Sequence, residues 1–123
     1  MAPQTINKFL GWFSVALGAG ELLFPAKITE GTGVRSEKLV KAFGMRELAS
    51  AATLLAAPSN PVGPMGRVGG DLLDIVAAGR EAFRRDNPAR NGAIFALAFV
   101  GGALLLDAYA TYRTAQMTPA QAR

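Results

Sequence analysis

Residues 67–74 read Arg-Val-Gly-Gly-Asp-Leu-Leu-Asp, RVGGDLLD, one cation and two anions inside the apolar run Val62 to Ala78. At helical spacing, Gly63, Arg67, Asp71, Asp74 and Ala78 follow intervals of 4, 4, 3 and 4, so they share one stripe. The other faces are almost wholly Val, Leu, Ile, Met, Ala and Gly. Whether that stripe meets water or the inside of a membrane-embedded bundle decides the fold, and the rest of the chain bears on the choice.

Three other runs have similar length: Ile6 to Phe24, Leu39 to Ala57 and Ala93 to Tyr112. Each is about 17–20 residues long, the length that crosses a hydrocarbon core as a helix. Pro25 and Pro58 stop the first two. The joints are short and polar: KITEGTGVRSEK with Gly31 and Gly33 as breakers, PSNPVGP as a tight turn, and REAFRRDNPARN with Asn87-Pro88 as its turn signal. A polar tail covers 113–123. There is no period-2 strand pattern, internal repeat or dividing linker. These features predict an all-α single domain over 1–123, four helices at about 6–24, 39–57, 62–78 and 93–112, with antiparallel neighbours.

A soluble helix needs one polar face. From Phe9 to Phe24 the only ionisable residue is Glu21, and from Ala93 to Leu106 there is none. Charged residues make up 18% of the chain and hydrophobic ones 50%, against about 25% charged in a typical soluble domain. The expectation is therefore an antiparallel four-helix transmembrane bundle with the lipid bilayer as its main partner. A soluble bundle with a carboxylate site is the rival. A signal peptide is disfavoured because its n-region would have only Lys8 as a basic side chain.

The basic surplus, net +4, supports an orientation. Lys27, Arg35, Lys38 and Lys41 fall around the first connection, and Arg80, Arg84, Arg85 and Arg90 around the third. The positive-inside rule places connections 25–38 and 79–92 in the cytoplasm and both termini outside, for a multi-pass inner (plasma) membrane protein. No basic stripe interleaved with aromatics is present, so no nucleic acid is expected. With Cys and His absent, thiolate sites, Cys nucleophiles and imidazole bases are excluded.

In the first helix Asn7, Gly11, Ser14, Gly18 and Glu21 form one stripe of small and polar residues, suited to close helix contact. Ala96, Ala103 and Asp107 share a face in the fourth; Arg46, Ser50 and Thr53 form a polar edge in the second, with Glu47 beside it. Depths at about 1.5 Å per residue match Arg67 with Asp107, and Arg46 with Glu21, Glu47 and Asp74. An outer pair and an inner cluster are thus predicted, with Asp71 between the layers and within i,i+4 reach of Arg67. The candidate buried network is Glu21, Arg46, Glu47, Arg67, Asp71, Asp74 and Asp107. Its acids outnumber its arginines.

The stretches GWFSVALGAGELLFP, GMRELASAATLL and GRVGGDLLDIVAAG resemble an uncharacterised bacterial four-helix membrane module that also occurs ahead of polyketide-cyclase/dehydrase-like (START-type) domains. The matching positions are Gly11, Trp12, Gly18, Glu21, Pro25, Gly44, Arg46, Glu47, Arg67, Gly70, Asp71 and Asp74. The resemblance implies an integral membrane location and no established activity. The chain departs from the two-domain form by ending at Arg123, so no lipid- or polyketide-related role carries over.

The plain reading of the charged stripe is a polar knot that fixes helix register, in a scaffolding or interaction protein rather than an enzyme. A proton or cation path using Glu21, Asp71 and Asp74 is the alternative; a small-molecule or lipid-headgroup pocket is another. Carboxylates alone could hold Mg²⁺, Ca²⁺ or Mn²⁺, but no metal, cofactor or catalytic residue is expected. GAG (18–20) and VGG (68–70) lack the strand-to-helix setting of a phosphate loop and are read as helix contacts. Trp12, Tyr109 and Tyr112 are read as an interfacial belt, and REAFRR as a solvated loop or an anionic-lipid contact. A homo-oligomer or a membrane partner protein stays open.

Overall fold

Prolines and one left-handed glycine set most of the helix boundaries. In the computed structural model, which describes residues 1–122, the helices are α1 (Pro3–Leu23), α2 (Pro25–Thr32), α3 (Glu37–Ala56), α4 (Val62–Ala82) and α5 (Arg90–Ala115), with no strand among the described residues. Phe24, ahead of Pro25, is forced out of the helical region (φ −129°, ψ 46°). The chain bends there by 92°, and Pro25 then occupies the first turn of α2. Gly33, at φ +79°, ends α2 in the left-handed conformation that favours glycine. Ser36 caps α3 by accepting from the Leu39 N–H at 3.1 Å. Asn87 locks the last connection: its Nδ2 donates to the carbonyls of Thr32 and Glu81, and its Oδ1 accepts from the Ala89 N–H.

Several boundaries differ from the sequence expectation, and α1 already begins at Pro3. The first connection holds a helix, α2, because Pro25 starts a helix as well as stopping one; of the two expected breakers, Gly33 ends it and Gly31 lies inside it. Helix α4 runs on to Ala82, since the charges of its last turn do not interrupt a helix as Asn87-Pro88 does. Helix α5 is longer at both ends, 26 residues.

Helix α1 packs most extensively on α3, and α4 on α5. The first contact rests on glycine: a Cβ on Gly18 would stand 2.8 Å from the Gly44 carbonyl oxygen, and one on Gly11 would meet Leu55. Position 11 faces 55 while 18 faces 44, so the two helices are antiparallel. Leu54 against Gly63 and Arg46 against Asp74 set the same sense for α3 and α4. Asp107 against Arg67, with the Ala82 carbonyl accepting from Arg90, sets it for α4 and α5. Helix α2 lies across one end, touching α3 and α5.

The interior is small and partly polar. Its apolar centre is Ile6, Leu10, Leu54 and Ala110. Phe9, Trp12, Leu23, Met45, Leu73, Val76, Phe95 and Leu105 are all 60% or more exposed. One helix, α5, is long and apolar enough by itself to cross a membrane; α1 and α2 pass the same test together but are bent at their junction. Helices α3 and α4 do not pass it. The four spans expected from sequence are therefore not present as four uniformly apolar helices.

Candidate functional site: a buried chain of ion pairs

Local sequence places each charge. On α4, Gly63, Arg67, Gly70, Asp71 and Ala78 are all buried, so the stripe of RVGGDLLD faces inward. On α3, Glu47 is buried and Arg46 lies at the edge of the buried face. On α5, Asp107 is 0% exposed.

These side chains join end to end. Asp74 binds Arg46 through two hydrogen bonds, 2.9 and 3.0 Å. Arg46 also donates to Glu47 Oε1 at 3.1 Å and to the Gly70 carbonyl at 3.2 Å. The other oxygen of Glu47 accepts from Arg67 at 2.8 Å, and Arg67 Nε donates to both oxygens of Asp107, at 2.9 and 3.0 Å. Arg67 further donates to Ser14 of α1. One guanidinium thereby bonds to the other three long helices, α1, α3 and α5, from its own place on α4. Phe43 lies under Arg46 at 5.2 Å and Phe13 under Arg67 at 5.7 Å. Cations over ring faces gain further attraction where water is excluded.

Glycine leaves room for this chain. A Cβ on Gly70 would stand 2.8 Å from the Arg46 guanidinium carbon, so any larger residue there would displace the arginine. A second, neutral tie lies nearer the chain termini: Asn7 Nδ2 donates to the Pro58 carbonyl at 2.7 Å and to Thr114 Oγ1 at 2.8 Å.

The pairs Arg67–Asp107, Arg46–Asp74 and Arg46–Glu47 are those that depth matching predicts. Three details differ. Glu47 bridges both arginines, which turns two expected layers into one continuous chain. Glu21 makes no hydrogen bond or ion pair among the described residues, although Arg46, Glu47 and Asp74 surround it. Asp71 does not pair with Arg67 along the helix. It lies beside Asp107 instead, 3% exposed, with Oδ2 buried and unpartnered. Sequence spacing gives i,i+4 proximity, but Arg67 is already held by Ser14, Glu47 and Asp107. Two polar contacts lie outside the sequence expectation: Ser14 accepts from Arg67, its signal being a hydroxyl on an otherwise small-residue stripe, and Asn7 bonds to Thr114. Among the described residues no group of three or more acids is placed to hold a metal ion.

No family model, curated protein or solved structure matches this chain.

Proposed function

We propose that the protein is a four-span membrane-embedded helical bundle whose ion-pair chain fixes the register of its helices, and that it serves a scaffolding or interaction role. The observation that carries this reading is an inverted polarity. Arg67, Asp71, Asp107 and Glu47 are at most 4% exposed, while the outward positions are apolar. Along α4 the exposed residues from Val62 to Gly79 are Val62, Met65, Gly66, Gly69, Leu72, Leu73 and Val76, without a charge. Along α3 from Ala42 to Ala56 they are Ala42, Met45, Ala49, Ala52 and Ala56. Charge-free outer faces of this kind run for roughly 22 Å on α3 and roughly 27 Å on α4 at 1.5 Å per residue. Lys41 can reach outward from the shorter one to the headgroups. The hydrocarbon core is about 30 Å. Mean hydropathy rejects α3 and α4 because it counts inward charges as though lipid met them.

In water this arrangement has its apolar side chains on the wrong side. In lipid, α3 from Ala42 to Ala56 and α4 from Val62 to Gly79 have no exposed charge to bury, and polar contacts between helices supply the adhesion that the hydrophobic effect does not. The basic residues Lys38, Lys41, Arg80, Arg85 and Arg90 then gather at one end, the cytoplasmic end by the positive-inside rule.

The chain has no cysteine, so single cysteines report sidedness cleanly. Cells expressing Ser59→Cys are expected to react with a membrane-impermeant maleimide, and those expressing Arg85→Cys only after permeabilisation. Recovery of the chain in the soluble fraction without detergent defeats this reading.

A second reading is favoured by one observation, the orphaned oxygen of Asp71 beside Asp107. Buried ionisable groups in membrane helices commonly mark proton or cation paths. Liposomes carrying the wild-type protein would then show ion-dependent flux that Asp71→Asn abolishes. Wild-type liposomes as tight as empty ones remove it.

A further inference from the structure

Where α1, α3, α4 and α5 meet below the cap of α2, packing leaves a cavity of about 210 Å³. Its walls are mostly apolar: Leu17, Val40, Phe43 and Phe99, with Ile28 of α2 also lining it. Only three ionisable side chains line it, and all are acids: Glu21, Glu47 and Asp74.

The three acids are not equivalent. Glu47 and Asp74 are held by the arginines. Among the described residues Glu21 has no hydrogen-bond or ion-pair partner, and Arg46 already serves Glu47, Asp74 and the Gly70 carbonyl. The cavity therefore presents one uncommitted carboxylate on an apolar wall. Its complement is an N–H donor of positive charge joined to an apolar body, because a charge-assisted hydrogen bond is about twice as strong as a neutral one. The volume equals about seven waters at roughly 30 Å³ each and falls below the roughly 300–1,000 Å³ of drug-sized sites. A small amine fits that volume.

We propose that this cavity binds a small aryl- or alkylamine in its ammonium form, with Glu21 as counter-ion and Phe43, Phe99 and Leu17 around the apolar part. The ammonium donates to the Glu21 carboxylate. The ion-pair chain needs no rearrangement, because Glu21 is outside it. The cavity stands on helix packing alone, so the proposal goes beyond the membrane reading.

The test is equilibrium dialysis of the purified full-length chain in nanodiscs against phenethylamine, and against 2-phenylethanol as its neutral counterpart, with empty nanodiscs subtracted. If the chain purifies without detergent, the same dialysis runs in buffer, so failure of the membrane reading is a separate result. Saturable binding of the amine is expected, at least tenfold tighter than the alcohol. Glu21→Gln is expected to weaken the amine at least tenfold and leave the alcohol and the melting temperature unchanged. Ala96→Leu, which fills space at the cavity wall, is expected to weaken both ligands and serves if Glu21→Gln does not fold. The proposal is overturned by absence of saturable amine binding, by equal binding of amine and alcohol, by unchanged amine affinity in Glu21→Gln, or by undiminished binding in Ala96→Leu.

Discussion

Arg67→Met is the most informative substitution in this molecule. Methionine keeps much of the length and bulk of the arginine stem, so the change removes charge and hydrogen bonds with little loss of packing. The arginine side chain is 2% exposed, and its partners Glu47 and Asp107 are 5% and 0% exposed. Its loss leaves Asp107 with no cation, Glu47 with Arg46 alone, and Ser14 without its ionic partner. Breaking a buried pair by removing one member costs about 3–5 kcal/mol, chiefly from the unpaired charge left behind. Against a total stability of roughly 5–15 kcal/mol this is a large fraction. Arg46 is 24% exposed and its carboxylate partner Asp74 is 19% exposed. Solvent screens that end of the chain, so Arg46→Met is expected to cost about 1–2 kcal/mol. The assay is equilibrium unfolding of the purified protein, followed by circular dichroism, in whichever of detergent or buffer keeps it folded. The triple variant Arg67→Met, Glu47→Gln, Asp107→Asn removes the stranded anions along with the cation and is expected to recover most of the loss. If the stability of Arg67→Met lies within about 0.5 kcal/mol of wild type, or if the triple variant is no more stable than the single, the ion-pair chain does not hold the helices together.

Three further outcomes follow from particular contacts. Gly18→Leu places a side chain against the Gly44 carbonyl, which is backbone and cannot swing away; overpacking of this kind costs about 1–3 kcal/mol, and an unchanged melting temperature would mean that α1 and α3 do not meet there. Gly33→Ala meets both a left-handed backbone and the Asn87 side chain. It should destabilise by about 1 kcal/mol or more and open α2 to limited proteolysis around residues 31–36, whereas wild-type protection would refute the cap. Asp71→Asn keeps the shape and removes a buried carboxyl whose Oδ2 has no partner, so stability is expected to stay within about 1 kcal/mol of wild type or to rise. A loss as large as that of Arg67→Met would show a partner that the geometry lacks.

Much of this architecture is readable in one dimension because helices translate spacing into direction. Asn7, Gly11, Ser14 and Gly18 recur at intervals of three and four, and all four are buried on one face of α1. The same arithmetic turns Arg67 and Asp71 inward, and both are buried. Prolines at 25 and 58 marked ends because a residue without an N–H cannot extend a helix. The short helix α2 was less legible, since eight residues containing Pro, Lys, Thr and Gly carry no periodic signal, and its position depends on α3 and α5 to rest against.

Spacing along the chain is enough for the all-helical class, for the inward stripes of α1 and α4 and for the matching depth of Arg67 and Asp107, since rise per residue converts position into depth; on α3 the buried face is Val40, Gly44, Glu47, Ala51 and Leu54 rather than the expected edge of Arg46, Ser50 and Thr53. Tertiary structure alone decided how the charges were shared. An arginine has five donors and serves whichever acceptors the neighbouring helices bring to it, so Glu47 became a bridge, Asp71 was left beside another acid, and Glu21 faced an apolar cavity while nearby Arg46 served Glu47, Asp74 and the Gly70 carbonyl. Those allocations depend on the distance between helices, which the Gly18–Gly44 and Gly70–Arg46 contacts set and which no spacing along the chain encodes.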